Sequence, residues 1–290
     1  MKTRSIEKVT PPGTPHFVGN GFRVHNFIPG TSTMKRMDPF IMLDYNSKYN
    51  FPPTDKPKGV GVHPHRGFET VTIAYKGRVE HGDSAGGGGI IGEGDVQWMT
   101  AASGVLHKEF HETEWSKTGG EFQMVQLWVN LPAKDKMSPP KYQAISNLEI
   151  PKVPLADNTG EVEVIAGEYN GNKGPASTFS PIHMYNVKLK KGAKTQLTLP
   201  ENYTTALLMV EGDAKVNDST ETPQDHFIMF SNDGDTFTVE ALTDTTMLVL
   251  SGAPLNEPIA AHGPFVMNTQ EELIEAFQDF NTGKFGYLED

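Results

Sequence analysis

Short runs of alternating apolar and polar residues recur along most of the chain, each closed by glycine or proline, and they restrict the fold more than any other feature. ETVTIAYKG (69–77), GDVQWMT (94–100), EFQMVQLWVN (121–130), IHMYNVKLKKG (182–192), YTTALLMVEG (203–212), DHFIMFS (225–231) and TMLVLSG (246–252) are the clearest. Valine, isoleucine, threonine and aromatic residues dominate them. A period of two sends alternate side chains to opposite faces, so each run suits a half-buried strand and not a helix. The 29 glycines and 21 prolines supply the turns. An all-β sandwich or barrel is the expectation. The chain end departs from it: in NTQEELIEAFQDFNTG (268–283), Thr269 precedes Glu272 at capping-box spacing and Leu273, Phe277 and Phe280 follow a helical period. This segment predicts a short C-terminal helix packed against a sheet edge.

The strand pattern falls into two halves. LPAKDKMSPPKYQAISNLEIPKVP (131–154) is rich in proline and breaks the rhythm, as a connector does. A length of 290 residues also fits two cores. We therefore expect an N-terminal domain over 1–135 and a C-terminal domain over 136–290 that carries the helix. The halves resemble each other. YTTALLMVEGDAKVND (203–218) repeats the strand–glycine–strand pattern of ETVTIAYKGRVEHGD (69–83), and matching Gly212 to Gly77 places His63 and His65 on Thr198 and Pro200. The second half reads as a copy without the imidazoles.

Those imidazoles are the chemical signal. In GVHPHRGFET, His63 and His65 stand two residues apart and share a face of an extended segment. A pair of surface histidines at a turn is the plainer alternative. SGVLHKEFHE then repeats the spacing with His107 and Glu109. If the two strands lie side by side in a small barrel, the pairs converge, and three imidazoles with one carboxylate suit a borderline divalent metal such as iron, copper, nickel, zinc or manganese. Such a set leaves coordination positions open, whereas structural zinc sites more often close their shell with thiolates; this chain has no cysteine. Glu69 and His111 share the parity of the pairs, Glu69 as a fifth ligand or an acceptor behind one, His111 as a strand-end residue. His81 reads as a solvated hairpin residue, and His183, His226 and His262 as isolated structural ones.

Other classes of chemistry find no support. The four glycines 86–89 lack the Lys-Ser/Thr of a phosphate loop and fall between strands, so a flexible hairpin is expected. No Gly-x-Ser-x-Gly elbow occurs, which disfavours covalent acyl transfer. The net charge of −11, with no basic run, disfavours direct nucleic-acid binding. The start, MKTRSIEKVTPPG, has no apolar core, and no later stretch suggests a membrane span. Without cysteines nothing argues for secretion, the sequons at Asn202 and Asn217 carry no weight, and a cytoplasmic location is expected.

HPHRGFETVT, GDVQWMTAASGVLHKE, LWVNLPAKDKMSPPKYQ and HGPFVMNTQEEL together resemble the pirin family of the cupin superfamily, from about residue 20 to the C-terminus. Two departures from general cupins stand out: Gly77 follows Glu69 one residue late, and the second motif ends His107-Lys-Glu109, as in pirins, instead of His-x3-Asn. The resemblance implies a bicupin of two antiparallel jelly-roll β-barrels. It further implies one metal in the N-terminal barrel, with His63, His65, His107 and Glu109 as ligands. Fe(II) is the metal associated with the family; copper, nickel, manganese, cobalt and zinc fit the same donors. Microbial pirins are similar to quercetin 2,3-dioxygenases, which open a flavonol ring with dioxygen and release carbon monoxide, and in that reading Glu109 is also the catalytic proton acceptor. Eukaryotic members resemble transcriptional co-regulators, which gives the alternative of a metal-sensing protein that binds a partner enzyme or transcription factor. A monomer is expected.

Overall fold

The computed structural model describes residues 1–30 and 32–289. Among them the chain forms antiparallel strands, short helical turns and one longer helix, and no helix is long and apolar enough to cross a membrane. It divides into two compact units. One joins Thr14–Asn147 to the segment from Leu255 onward; the other joins Met1–Gly13 to Leu148–Pro254. This differs from a division into 1–135 and 136–290, because each unit takes a tail from the far end of the chain. Strand Ile6–Thr10 hydrogen-bonds to Phe227–Phe230 and so covers the edge of that sheet. The C-terminal tail joins the first unit: the Val266 N–H donates to the Arg66 carbonyl at 3.0 Å, and Arg66 Nη2 donates to Asp279 Oδ2 at 2.8 Å. Such long-range pairing leaves no local sequence pattern.

In the first unit a seven-stranded sheet runs in the order Lys141–Ile145, Val96–Thr100, Phe68–Lys76, Gly120–Asn130, Phe40–Phe51, Phe22–Ile28, His16–Val18. A four-stranded sheet, ordered Gly59–His65, Val105–His111, Val79–Asp83, Gly88–Ile91, belongs to the same unit. Phe22, Val24, Phe51, Val79, Ile91 and Phe122, drawn from both sheets, make a common apolar cluster. The second unit repeats the plan, with a seven-stranded sheet and the four-stranded sheet Lys194–Thr198, Thr236–Ala241, Ala214–Val216, Thr220–Thr222. Two jelly-roll sandwiches in tandem are a bicupin, as expected from the sequence.

The expected helix forms over Gln270–Asn281, with the Thr269–Glu272 capping box in place. It belongs to the first unit and not, as expected, to the C-terminal barrel. Leu273, Ala276 and Phe277 pack with Phe265, Met267 and Leu106. Phe280 is 37% exposed, so the packed stripe is narrower than the sequence period suggested.

Candidate metal centre

The site begins with strand pairing. Gly59–His65 lies antiparallel to Val105–His111, with His107 opposite His63 and Val105 opposite His65. A register shift after His107 then changes the partner of Glu109 to Val60. The three rings gather at the pairing line: their centroids are 4.2 Å apart for His63–His107, 4.7 Å for His65–His107 and 4.9 Å for His63–His65. One ligand-type nitrogen from each lies within 4.8 Å of the others. His65 and His107 are buried and His63 is half-buried. Burial, followed by the neighbouring imidazoles, holds His65 and His107 well below the usual histidine pKa, so both are neutral at pH 7. The Nδ1 atoms of His63 and His65 face the carbonyls of Gly61 at 2.8 Å and Pro264 at 3.3 Å. A carbonyl only accepts, so these contacts assign the protons to Nδ1 and leave both Nε2 lone pairs available. His65 also packs against Phe68 and Trp128, which stack on each other, with centroids at 5.0 and 5.1 Å.

A second triad overlaps the first. His81, His107 and Glu109 also bring ligand-type atoms within 4.8 Å of one another. The four residues expected as one set thus fall into two groups that share His107. Val105–His111 is the middle strand, paired with Val79–Asp83 on its other side, and this puts His81 opposite Glu109. Glu109 is held by side-chain amides: Gln97 Nε2 donates to Oε1 at 2.9 Å and Gln126 Nε2 to Oε2 at 2.8 Å. Thr72 Oγ1 stands 3.1 Å from Glu109 Oε1 and 2.5 Å from Gln126 Oε1, and its single proton serves one of them at a time. His81 stacks on Tyr142, with centroids 5.0 Å apart at 15°.

Within this cluster a buried ring nitrogen is left over. His107 Nε2 has no hydrogen-bond partner among the described residues. A buried polar nitrogen without a partner is costly. Three converging imidazoles beside a carboxylate are a donor set that a divalent cation fits. His63, His65 and Glu109 open onto a cavity of about 300 Å³, whose other walls include Phe22, Val24, Met42, Asp44, Val60, Met124, Gln126 and Trp128. The lining is mostly apolar with a few polar groups, as small-molecule sites are.

Comparison with known proteins decides the family. Residues 21–129 match the pirin model and residues 184–286 the pirin C-terminal cupin domain. The chain belongs to the pirin family. A pirin relative in Pseudomonas aeruginosa, provisionally named a quercetin 2,3-dioxygenase, is 48% identical over 93% of this chain and 94% of its own. Pirin of the rat is 37% identical over 93% of this chain and 89% of its own. The crystal structure of a quercetin 2,3-dioxygenase from Acinetobacter baumannii superposes with a TM-score of 0.95 at 50% identity, covering 99% of this chain and 100% of that one.

Against this pirin fold, the remaining sequence expectations sort by strand parity. Glu69 is buried but turned away from the centre. It pairs with Val129 and Thr100 and accepts from Thr100 Oγ1 at 2.7 Å, whereas Thr72 and Gln126 face the cavity side. The corner at Arg66–Gly67 resets the alternation between Gly59–His65 and Phe68–Lys76, with Gly67 at φ +90° pressed against the Val266 carbonyl. Burial pushes the Glu69 carboxyl up to about 7, and the Thr100 hydrogen bond only partly offsets it. His111 keeps the parity but stands at the far end of its strand. Its Nε2 lies 2.9 Å from the Gly21 carbonyl and its ring packs against Phe51 and Phe122 at 4.6 and 4.4 Å. Burial lowers its pKa to about 4. His81, read as solvated, is instead buried; the alternation Val79–His81–Asp83 was the overlooked signal. The four glycines do form a hairpin. There Asp83 Oδ1 accepts from the backbone N–H groups of Ala85 at 2.9 Å and Gly87 at 2.8 Å, an approach that a Cβ on Gly87 would block. Burial raises the Asp83 pKa, but hydrogen bonds from His81, Gly87 and Ala85 outweigh it and hold the carboxyl low. Gln97, Gln126 and Tyr142 carried no motif and emerge only from the tertiary structure.

Proposed function

We propose that this chain is a metal-dependent quercetin 2,3-dioxygenase, in which His63, His65, His107 and Glu109 hold one divalent ion, with Fe(II) as the resident metal. The observation that carries the reading is the meeting of three imidazoles, one with an unpartnered buried Nε2, beside a carboxylate that lines an apolar cavity of about 300 Å³. A divalent ion held there would supply Lewis acidity toward the hydroxyl and carbonyl edge of a flavonol. The names of the Pseudomonas and Acinetobacter relatives support the same substrate class.

The chain's own residues have distinct tasks in this reading. Phe22, Val24, Met42, Met124 and Trp128 offer apolar walls for a flat aromatic ligand and exclude water around it. Glu109 is the proton acceptor for the flavonol 3-hydroxyl, since it lines the cavity and both its oxygens accept amide hydrogens. Gln97 and Gln126 fix the plane of that carboxylate. Asp44, oriented by Asn26 Nδ2 at 2.7 Å, gives the cavity a further hydrogen-bond acceptor.

Purified protein fully loaded with Fe(II), mixed with quercetin in air, should bleach the flavonol absorbance, consume oxygen and release carbon monoxide. His63→Ala and Glu109→Ala should abolish all three signals. If fully loaded wild type leaves quercetin untouched, the enzyme reading fails, and a search for a metal-dependent protein partner takes its place.

A further inference from the structure

The polar atoms behind His107 form a single hydrogen-bonded chain that admits one consistent placement of protons. It starts in the glycine hairpin, where the Ala85 and Gly87 N–H groups donate to Asp83 Oδ1. The other carboxylate oxygen, Oδ2, lies 3.3 Å from His81 Nε2. A carboxylate accepts, so His81 carries its proton on Nε2 and a lone pair on Nδ1. That lone pair accepts from Gln97 Nε2 at 3.1 Å, and His107 Nδ1 lies 3.5 Å from it, where a second lone pair would be repelled and an N–H is favoured. The Gln97 amide is itself oriented, since its Nε2 donates to Glu109 and its Oε1 accepts from the Tyr142 hydroxyl at 3.3 Å. The opposite His81 tautomer would set an N–H against the Gln97 amide hydrogens and a lone pair against Asp83. His107 therefore bears its proton on Nδ1, which leaves the lone pair on the buried Nε2 that has no protein partner.

We propose that Asp83 and His81 are positioning residues that lock His107 in its Nδ1–H tautomer, presenting an open Nε2 lone pair to a cation, with the glycine hairpin holding Asp83 in place. Neither residue touches the cavity. Both act through His107, in the manner of outer residues that orient metal-binding histidines. The proposal rests on the metal reading above for its purpose, but not for its geometry.

The test uses the metal-free protein first. Ring-nitrogen NMR at fixed pH should show wild-type His107 protonated on Nδ1. Asp83→Asn keeps an oxygen for the hairpin N–H groups but can turn an amide donor on His81; it should drive the His107 proton toward Nε2. A competition titration with zinc(II) should then show affinity reduced about 10–100-fold in Asp83→Asn and His81→Phe. His81→Gln, which can donate to Asp83 and accept from His107, should recover most of the loss. Metal-free melting curves check that each variant folds, and the wild-type tautomer needs no variant at all. An Nε2–H tautomer in wild type, or unchanged tautomer and zinc affinity in both variants, would overturn the proposal. Should wild type show the Nδ1–H tautomer yet bind no zinc, the metal reading fails while the proton assignment stands.

Discussion

The two units run the same strand ladder to opposite ends. Matched by strand partners, His63 opposite His107 corresponds to Leu197 opposite Phe237. His81 opposite Glu109 corresponds to Val216 opposite Val239. Thr72, flanked by Gln126 and Gln97, corresponds to Leu207, flanked by Val249 and Ile228. All these second-unit residues belong to one buried apolar cluster, together with Leu199. Positions that build a hydrophobic core in one sandwich carry imidazole, carboxylate and amide in the other. A core gains from burying such positions, whereas a site must satisfy each polar atom or leave it for a ligand. The second unit shows what the first gives up in stability to hold a polar centre.

Four measurements would break or sharpen this contrast. The largest effect is on binding. Replacing His107 with its counterpart, His107→Phe, should lower metal affinity by more than about 100-fold, beyond what outer residues cost; a titration near the wild-type value would break the assignment. Next, Phe237→Ala should destabilise the second unit by about 3–5 kcal/mol by leaving a cavity. Metal stoichiometry should be unchanged, and coupled loss of metal would show that the units are not independent in this respect. Third, the combined change Thr72→Leu, Gln97→Ile, Glu109→Val and Gln126→Val should raise metal-free stability in denaturant by about 1–4 kcal/mol while impairing metal binding, because replacing a buried polar network with matched apolar side chains is often stabilising. A large loss of stability would mean that the polar network supports the fold itself.

The fourth measurement concerns Glu69. Its pKa in the folded state, about 7, exceeds the usual 4.5, so folding favours the protonated acid. That contribution is fully present below pH 4.5 and is lost as pH rises to 7. Relative to Glu69→Gln, wild type should therefore weaken by about 2–3 kcal/mol between pH 5 and pH 8. Parallel denaturation curves at the two pH values check this, and equal pH dependence in both proteins would contradict it.

What the sequence revealed follows the range of the interactions involved. Strand alternation, the capping box and the two pairs His63/His65 and His107/Glu109 are local patterns, and the structure brings His63, His65 and His107 together with Glu109 nearby. Parity carried through a corner failed. Gly67 resets the phase, so Glu69 points away, and the repeat at a shift of 135 residues places His63 on exposed Thr198, one residue from the buried Leu197. His81 was missed because a strand edge beside a glycine-rich turn looks like solvent from sequence alone. The exchange of chain ends between units depends on pairings such as Ile6–Thr10 with Phe227–Phe230, which no local signal announces.

Anomalous diffraction from crystals loaded with a single divalent metal tests the central claim most directly. One strong peak per chain, within coordination distance of the Nε2 atoms of His63, His65 and His107, is the predicted result. A peak elsewhere, or none at these nitrogens in fully loaded protein, would contradict it.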